Sequence, residues 1–179
     1  MSKAALFIHS SQQKISLPLL GMCLFLIACD QITKFLVYTY LPIMNHSFPY
    51  PYGGIGVFQN IGGIEFSITH INNAGAAWGA FNAYPIPLLL VRIGLIIGLC
   101  IYFFFFNQKK NWRIPLLLII AGAIGNVLDY FIYGQVIDML HFVLWGYDFP
   151  VFNIADAAIS IGIVSLFFLS FFENKLSNG

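Results

Sequence analysis

Hydrophobic positions gather into four long blocks, at about 17–38, 85–106, 114–133 and 154–172, and polar residues, Gly and Pro return between them. Each block is about 20 residues long, and at a rise of ~1.5 Å per residue a helix of that length crosses a ~30 Å hydrocarbon layer. Lipid offers a backbone no hydrogen-bond partner, so the blocks predict four membrane-spanning helices. The second opens at Pro85, a residue suited to the first turn of a helix, and closes on the aromatic run Phe103–Phe106. The stretch 64–71 has a different period: it alternates apolar and polar like a half-buried strand. It lies in a long connection, 39–84, that is rich in Gly, Pro and aromatics (Pro49-Tyr50-Pro51-Tyr52-Gly53-Gly54). The pattern predicts an all-α membrane core of four transmembrane helices, with a small antiparallel β-sheet built from the first outer loop. No internal repeat is visible, so the whole chain, 1–179, reads as one polytopic membrane domain.

Composition agrees with the pattern. Of 179 residues, 59% are hydrophobic and 8% charged, with a mean hydropathy of +0.83; soluble domains carry roughly 25% charged residues. An ordinary soluble domain, a disordered chain and a coiled coil are excluded. Eight Lys and Arg face seven Asp and Glu, with no basic block, so nucleic acid is not an expected partner. Cys23, Cys29 and Cys100 all lie inside apolar blocks and read as buried thiols. Leu26-Ile27-Ala28-Cys29 has the look of a lipid-attachment box, but the apolar run continues through Val37, which predicts an uncleaved anchor. Lys3, Lys14, Lys109, Lys110, Arg113 and Lys175 lie in the tails and the 107–113 loop, whereas loops 39–84 and 134–153 hold no Lys or Arg. By the positive-inside rule both termini are expected in the cytoplasm and the two uncharged loops outside.

Ionisable groups at membrane depth mark candidate function. They are Asp30, Lys34, Arg92, Asp129, Asp138 and Asp156. On the expected topology the four carboxylates gather near the outer interface. Asn126 and Asp129 are i, i+3 on one helix face, and Asn153 and Asp156 repeat the spacing at the head of the fourth helix. Loop 134–153 joins the third and fourth helices, so their outer ends lie close and Asp138 and Asp156 can meet. Two carboxylates a few ångströms apart share a proton. The ionised one can take a proton from water and the other can give one to a carbonyl oxygen or a leaving amine, which is peptide hydrolysis without a metal or cofactor. The same pair suits a proton-coupled carrier, and a non-enzymatic assembly factor with structural polar packing is a third reading; clustering alone leaves them open. Four helices without a repeat count against the carrier. The histidines His9, His46, His70 and His141 show no metal-ligand spacing. Lys34 with Ser67 forms no hydrolase motif, and Lys34 is expected to snorkel outward.

Four motifs in chain order then resemble one family. They are Asp30-Gln31-Ile32-Thr33-Lys34; Asn73-Ala74-Gly75-Ala76-Ala77-Trp78; Gly122-Ala123-Ile124-Gly125-Asn126-Val127-Leu128-Asp129 with Val136-Ile137-Asp138; and Phe152-Asn153-Ile154-Ala155-Asp156. From about 17 to 172 the chain resembles the bacterial lipoprotein signal peptidases (signal peptidase II). The resemblance implies a membrane-embedded aspartic endopeptidase that cuts diacylglyceryl-modified prolipoproteins just before the lipidated cysteine. It implies Asp138 and Asp156 as the catalytic pair. Asp30, Asn73, Asn126 and Asn153 would line the site and hold substrate, Trp78 would help cover it, and Asp129 would support it. It further implies no cofactor, contact with membrane lipid, inhibition by the cyclic peptide globomycin, a multi-pass location in the bacterial inner membrane, and an active site and sheet at the periplasmic face. A monomer is expected, since the site needs one chain. One departure stands out: Tyr130 occupies the position after Asp129 where the family usually has Arg, and an uncharged phenol makes no bidentate fork.

Overall fold

The computed structural model describes residues 14–74 and 84–177. Helix α1 spans Leu17–Tyr40, α2 Pro85–Ile101, α3 Arg113–Tyr133 and α4 Ile154–Ser177. The π-wound run Tyr102–Phe106 extends α2, and a 3₁₀ turn, Lys110–Trp112, leads into α3. All four are long and apolar enough to span a membrane. Their outward surfaces expose large apolar side chains such as Leu24, Phe25, Leu90, Leu95 and Phe167, as lipid-facing helices do. No residue of α2 between Pro85 and Ile101 is fully buried, whereas ten of α3 are, from Pro115 to Asp129. Helix α3 is therefore the spine of the bundle. It packs on α4 and α1, and α2 leans on its outside.

The α3–α4 contact is close because of a small residue. A Cβ added at Gly122 would meet the Ala155 carbonyl oxygen at 2.5 Å and Ile159 at 2.9 Å. Small residues let helix backbones approach in lipid, where packing rather than water drives association. Below this contact Phe103, Leu116, Leu117 and Ile120 form an apolar core with Met22, Cys23 and Trp112. Helix α3 stops at Gly134, whose φ of 76° supplies the left-handed turn that ends many helices.

A four-stranded antiparallel sheet caps the end of the bundle where α1 and α3 finish and α2 and α4 begin. Its strands are β1 (Ile55–Ile61), β2 (Ile64–Asn73), β3 (Val136–Leu144) and β4 (Tyr147–Asp148), in that order. The half-buried strand read at 64–71 is the core of β2. The sheet draws on more than the first loop, because loop 134–153 folds back to supply β3 and β4. The β2–β3 register pairs Ser67 with His141, Ile71 with Asp138 and Asn73 with Val136. Alternation along β3 sends Ile137 and Met139 toward Val37 of α1 and Asp138 to the opposite side. Both sides are covered, so Val136 to Met139 are all buried. After β4 the chain returns beside β3 through reciprocal Leu140–Phe152 backbone hydrogen bonds of 2.7 and 3.2 Å, and this return delivers the start of α4 next to Asp138.

Replacing Gly122 with Ala is expected to destabilise the bundle by about 1–3 kcal/mol, the usual range for overpacking. Thermal unfolding in detergent tests this: the G122A midpoint falls, and an unchanged midpoint would contradict the close α3–α4 contact.

Candidate active site

The polar residues read from the sequence separate into two linked groups. The first is a buried ion cluster between α1 and α3. Lys34 Nζ lies 2.8 Å from Asp30 Oδ2 and 2.7 Å from Asp129 Oδ2, and it donates to Asn126 Oδ1 at 3.0 Å. An ammonium has three protons, and all three are used. Lys34, Asp30 and Asp129 are each 0% exposed. The expectation that Lys34 snorkels outward is therefore wrong. Its partners are one turn away on α1 and across on α3, so pairing inside stabilises it more than reaching for the surface. Gln31 closes the cluster by donating to Asp129 Oδ1 at 2.8 Å and Gly125 O at 3.1 Å. Asp30 Oδ1 accepts the Ala155 N–H at 2.9 Å, and Asp129 Oδ2 accepts the Ile137 N–H at 3.3 Å. The cluster thus ties down the head of α4 and the head of β3.

The second group is built on the first. Asn126 points its oxygen at Lys34, so its amide nitrogen faces the other way and donates to Asp156 Oδ1 at 2.7 Å. Asn153 Nδ2 donates to Asp138 Oδ1 at 2.7 Å and to Asn126 Oδ1 at 3.1 Å. Asn73, at the end of β2, donates to Asp138 Oδ2 at 2.9 Å. Asn153 and Asp156 also form a reciprocal cap on α4. The Asn153 side chain accepts the Asp156 N–H at 2.8 Å, and Asp156 Oδ2 accepts the Asn153 N–H at 3.4 Å. This geometry fixes the Asp156 carboxylate in the first turn of α4, where the helix dipole favours a negative charge.

Asp138 and Asp156 both face a cavity of about 570 Å³, together with Asn73, Arg92, Asn126 and the apolar return segment Phe149–Phe152. Asp138 is only 2% exposed. Burial, then the charge of Asp156, push its pKa up to about 7, against the opposing pull of Asn73, Asn153 and Lys34. At neutral pH this carboxyl is therefore poised between its two forms.

Of the residues expected to line the site, Asn73 and Asn126 face this cavity, as do Asp138 and Asp156, the expected catalytic pair. Asp30 and Asn153 are 0% exposed and stand behind the wall, where they hold the residues that line it. Asp129 sits in the ion cluster, and Trp78 lies outside the described residues. Two contributors went unread in the sequence. Gln31 stands beside Asp30 in the first motif, and that i, i+1 place was its signal. The Asn153–Asp156 spacing was read as a shared helix face, although the same spacing marks a capping box. Apart from the site, Ser67 bonds His141 at 3.4 Å and His141 bonds Asp148 at 2.5 Å, which links β2, β3 and β4.

These features can be set beside known proteins. A family model described as Signal peptidase (SPase) II matches residues 22–172. The chain belongs to the signal peptidase II family. It is 37% identical to a lipoprotein signal peptidase of Chlamydia pneumoniae over 82% of this chain and 86% of that one. It is 33% identical to a lipoprotein signal peptidase of Staphylococcus aureus (strain JH9) over 80% and 81% of the two chains. A solved bacterial membrane enzyme, determined by the in meso method at 2.3 Å resolution, superposes with a TM-score of 0.74 at 28% identity, covering 92% of this chain and 93% of that chain. The protein is a multi-pass membrane peptidase, and membership of this family does not favour a carrier.

Replacing Lys34 with Met leaves two buried carboxylates without their cation and is expected to cost about 3–5 kcal/mol. The double variant K34M/D129N is expected to recover part of that loss, as coupled neighbours do. Thermal unfolding of the single and double variants measures the coupling, and strictly additive losses would contradict the ion cluster.

Proposed function

We propose that this signal peptidase II is an aspartic endopeptidase that removes the signal peptide from diacylglyceryl-modified prolipoproteins, cutting just before the lipidated cysteine, with Asp138 and Asp156 as the catalytic pair. The observation that carries the reading is a single one. Two carboxylates, Asp138 buried and Asp156 half-buried, each held by an asparagine and the two asparagines bonded to each other, open on one cavity.

The chemistry follows from one shared proton. With the pair singly ionised, the ionised member takes a proton from a water molecule, whose oxygen attacks the scissile carbonyl carbon. The protonated member gives its proton to the carbonyl oxygen. As the tetrahedral diol collapses, the C–N bond breaks, the proton taken from water passes to the departing amine, and one hydroxyl returns its proton to the other carboxylate, which restores the singly ionised pair. The proton belongs to the pair rather than to one residue. Asn73, Asn126 and Asn153 keep both carboxylates in place, so little reorganisation is needed during the reaction. In this reading both termini lie in the cytoplasm and the sheet and cavity lie near the outer face, as the distribution of Lys and Arg supports. A diacylglyceryl group anchored in the outer leaflet would then hold the scissile bond at the level of the pair. Segment 39–84 would act as the cover and the enzyme as a monomer.

Asp138→Asn and Asp156→Asn each remove an acid–base partner, and each is expected to lower kcat by about 10²–10⁴-fold. A mass-shift assay on a diacylglyceryl precursor, run with and without globomycin, measures this. Cleavage at the wild-type rate by either variant would reject the pair. The pH profile gives a second test. The Asp138 carboxyl titrates at about 7, so higher pH leaves the pair without a proton to give. The profile of kcat/KM should fall about tenfold per pH unit on the alkaline side of that value; a profile that keeps rising well above it would contradict the shared proton.

A further inference from the structure

Arg92 lies in α2, seven residues beyond Pro85, or about 10 Å along the helix. A cation at that depth is costly, and such residues face a cavity or a partner. Arg92 does both. It lines the cavity that holds Asp138 and Asp156, and among the described lining residues it is the only cation. Its guanidinium carbon stands 5.9 Å from the centre of the Tyr130 ring, within the range of a cation–π contact. The Tyr130 hydroxyl donates to the Ala74 carbonyl oxygen at 2.8 Å. Ala74 follows Asn73, which holds Asp138. A short relay therefore connects the cation to the carboxylate: Arg92 rests on Tyr130, Tyr130 is bonded to Ala74, and the neighbouring Asn73 holds Asp138. The Asn73-Ala74 step bonds to both arms of this relay. The uncharged residue at position 130 acts here as a platform for a cation that comes from another helix.

We propose that Arg92 is a substrate-positioning residue, whose guanidinium on the Tyr130 ring donates to a main-chain carbonyl oxygen of the signal peptide lying across Asp138 and Asp156. This rests on the peptidase reading above. A peptide entering a low-dielectric cavity brings carbonyl groups that must be paired. The carboxylates can accept hydrogen bonds from its N–H groups, and the one proton of the singly protonated pair is committed to the scissile carbonyl. The asparagine amides each direct an N–H to Asp138 or Asp156. A guanidinium presents five donors and no acceptor, in a planar fork suited to carbonyl oxygens. Its charge also offsets the single negative charge of the pair, which favours closing the site over a neutral peptide.

The test separates substrate binding from the chemistry of the pair. Steady-state kinetics on a diacylglyceryl precursor are measured for wild type, Arg92→Gln, Arg92→Lys and Tyr130→Leu, with thermal unfolding in detergent for each. R92Q is expected to lower kcat/KM by about 10–100-fold, mainly through KM, as loss of a hydrogen bond to a charged group does. The alkaline limb of its pH profile is expected to stay in place. R92K keeps the charge without the fork and should recover part of the loss, and Y130L should raise KM in the same direction. In a D138N background, R92Q should weaken precursor binding by the same factor, a readout independent of turnover. Unchanged KM and binding in R92Q would overturn the proposal. So would a shifted pH limb at unchanged KM, because Arg92 would then act on the carboxylates and not on the substrate. If R92Q fails to fold, R92K and Y130L carry the test by the same criteria. A wild-type protein that cleaves no precursor would refute the peptidase reading itself, whereas an active wild type with an indifferent Arg92 would refute this inference alone.

Discussion

Two like charges resist being held together away from water, and the structure around Asp138 and Asp156 answers that difficulty. Each carboxylate accepts an amide hydrogen bond, and the two amides are bonded to each other. The amides cannot flip freely. Asn126 has its oxygen fixed by Lys34, and Asn153 has its oxygen fixed by the first turn of α4. The orientation that serves the carboxylates is therefore imposed from behind, by an ammonium whose three protons are all in use. A buried salt bridge is by itself weak evidence of stability. Here the cluster has a second role, since it aims the amide dipoles at the two carboxylates.

The fold brings these parts together by crossing three kinds of element. Helix α3 contributes Asn126 and Asp129 from its most buried stretch. Strand β3 contributes Asp138, and the head of α4 contributes Asn153 and Asp156. The sheet is more than a cap over the helix ends. Its third strand carries one of the paired carboxylates, and the return of the chain along that strand sets where α4 begins. The close approach at Gly122 draws α3 and α4 together just below the site. A loosening of that contact would separate Asn126 from Asp156.

Much of this was legible in the sequence. Four apolar blocks of spanning length gave the helices, because lipid permits little else. The period-two stretch at 64–71 gave a strand, but its partners could not be read. The 134–153 loop is buried on both faces along β3, so Val136–Met139 lacks the alternation that betrays a half-exposed strand. The resemblance implied Asp138 and Asp156 as a catalytic pair, and both face one cavity. It could not tell wall from lining: Asp30, at the same level of the bundle, turns inward to Lys34 because an i, i+4 partner lies on its own helix. Lys34 was misread for the same reason. Snorkelling is the default for a lone lysine, and the sequence does not show that Asp129 arrives from α3 to meet it. Arg92 and Tyr130, separated by 38 positions, had no visible relation until the fold brought them within 5.9 Å.

The central claim is that the pair carries one proton near neutral pH. The most direct measurement is an infrared titration of the protein in detergent, following the carbonyl stretch of protonated carboxylic acids in wild type, D138N and D156N. A buried carboxyl band that fades through a midpoint near 7 in wild type, loses that titration in D138N, and fades at lower pH in D156N, where burial remains without the neighbouring charge, is the result expected. A pair that is fully ionised well below that pH, or a band that titrates identically in all three proteins, would contradict it.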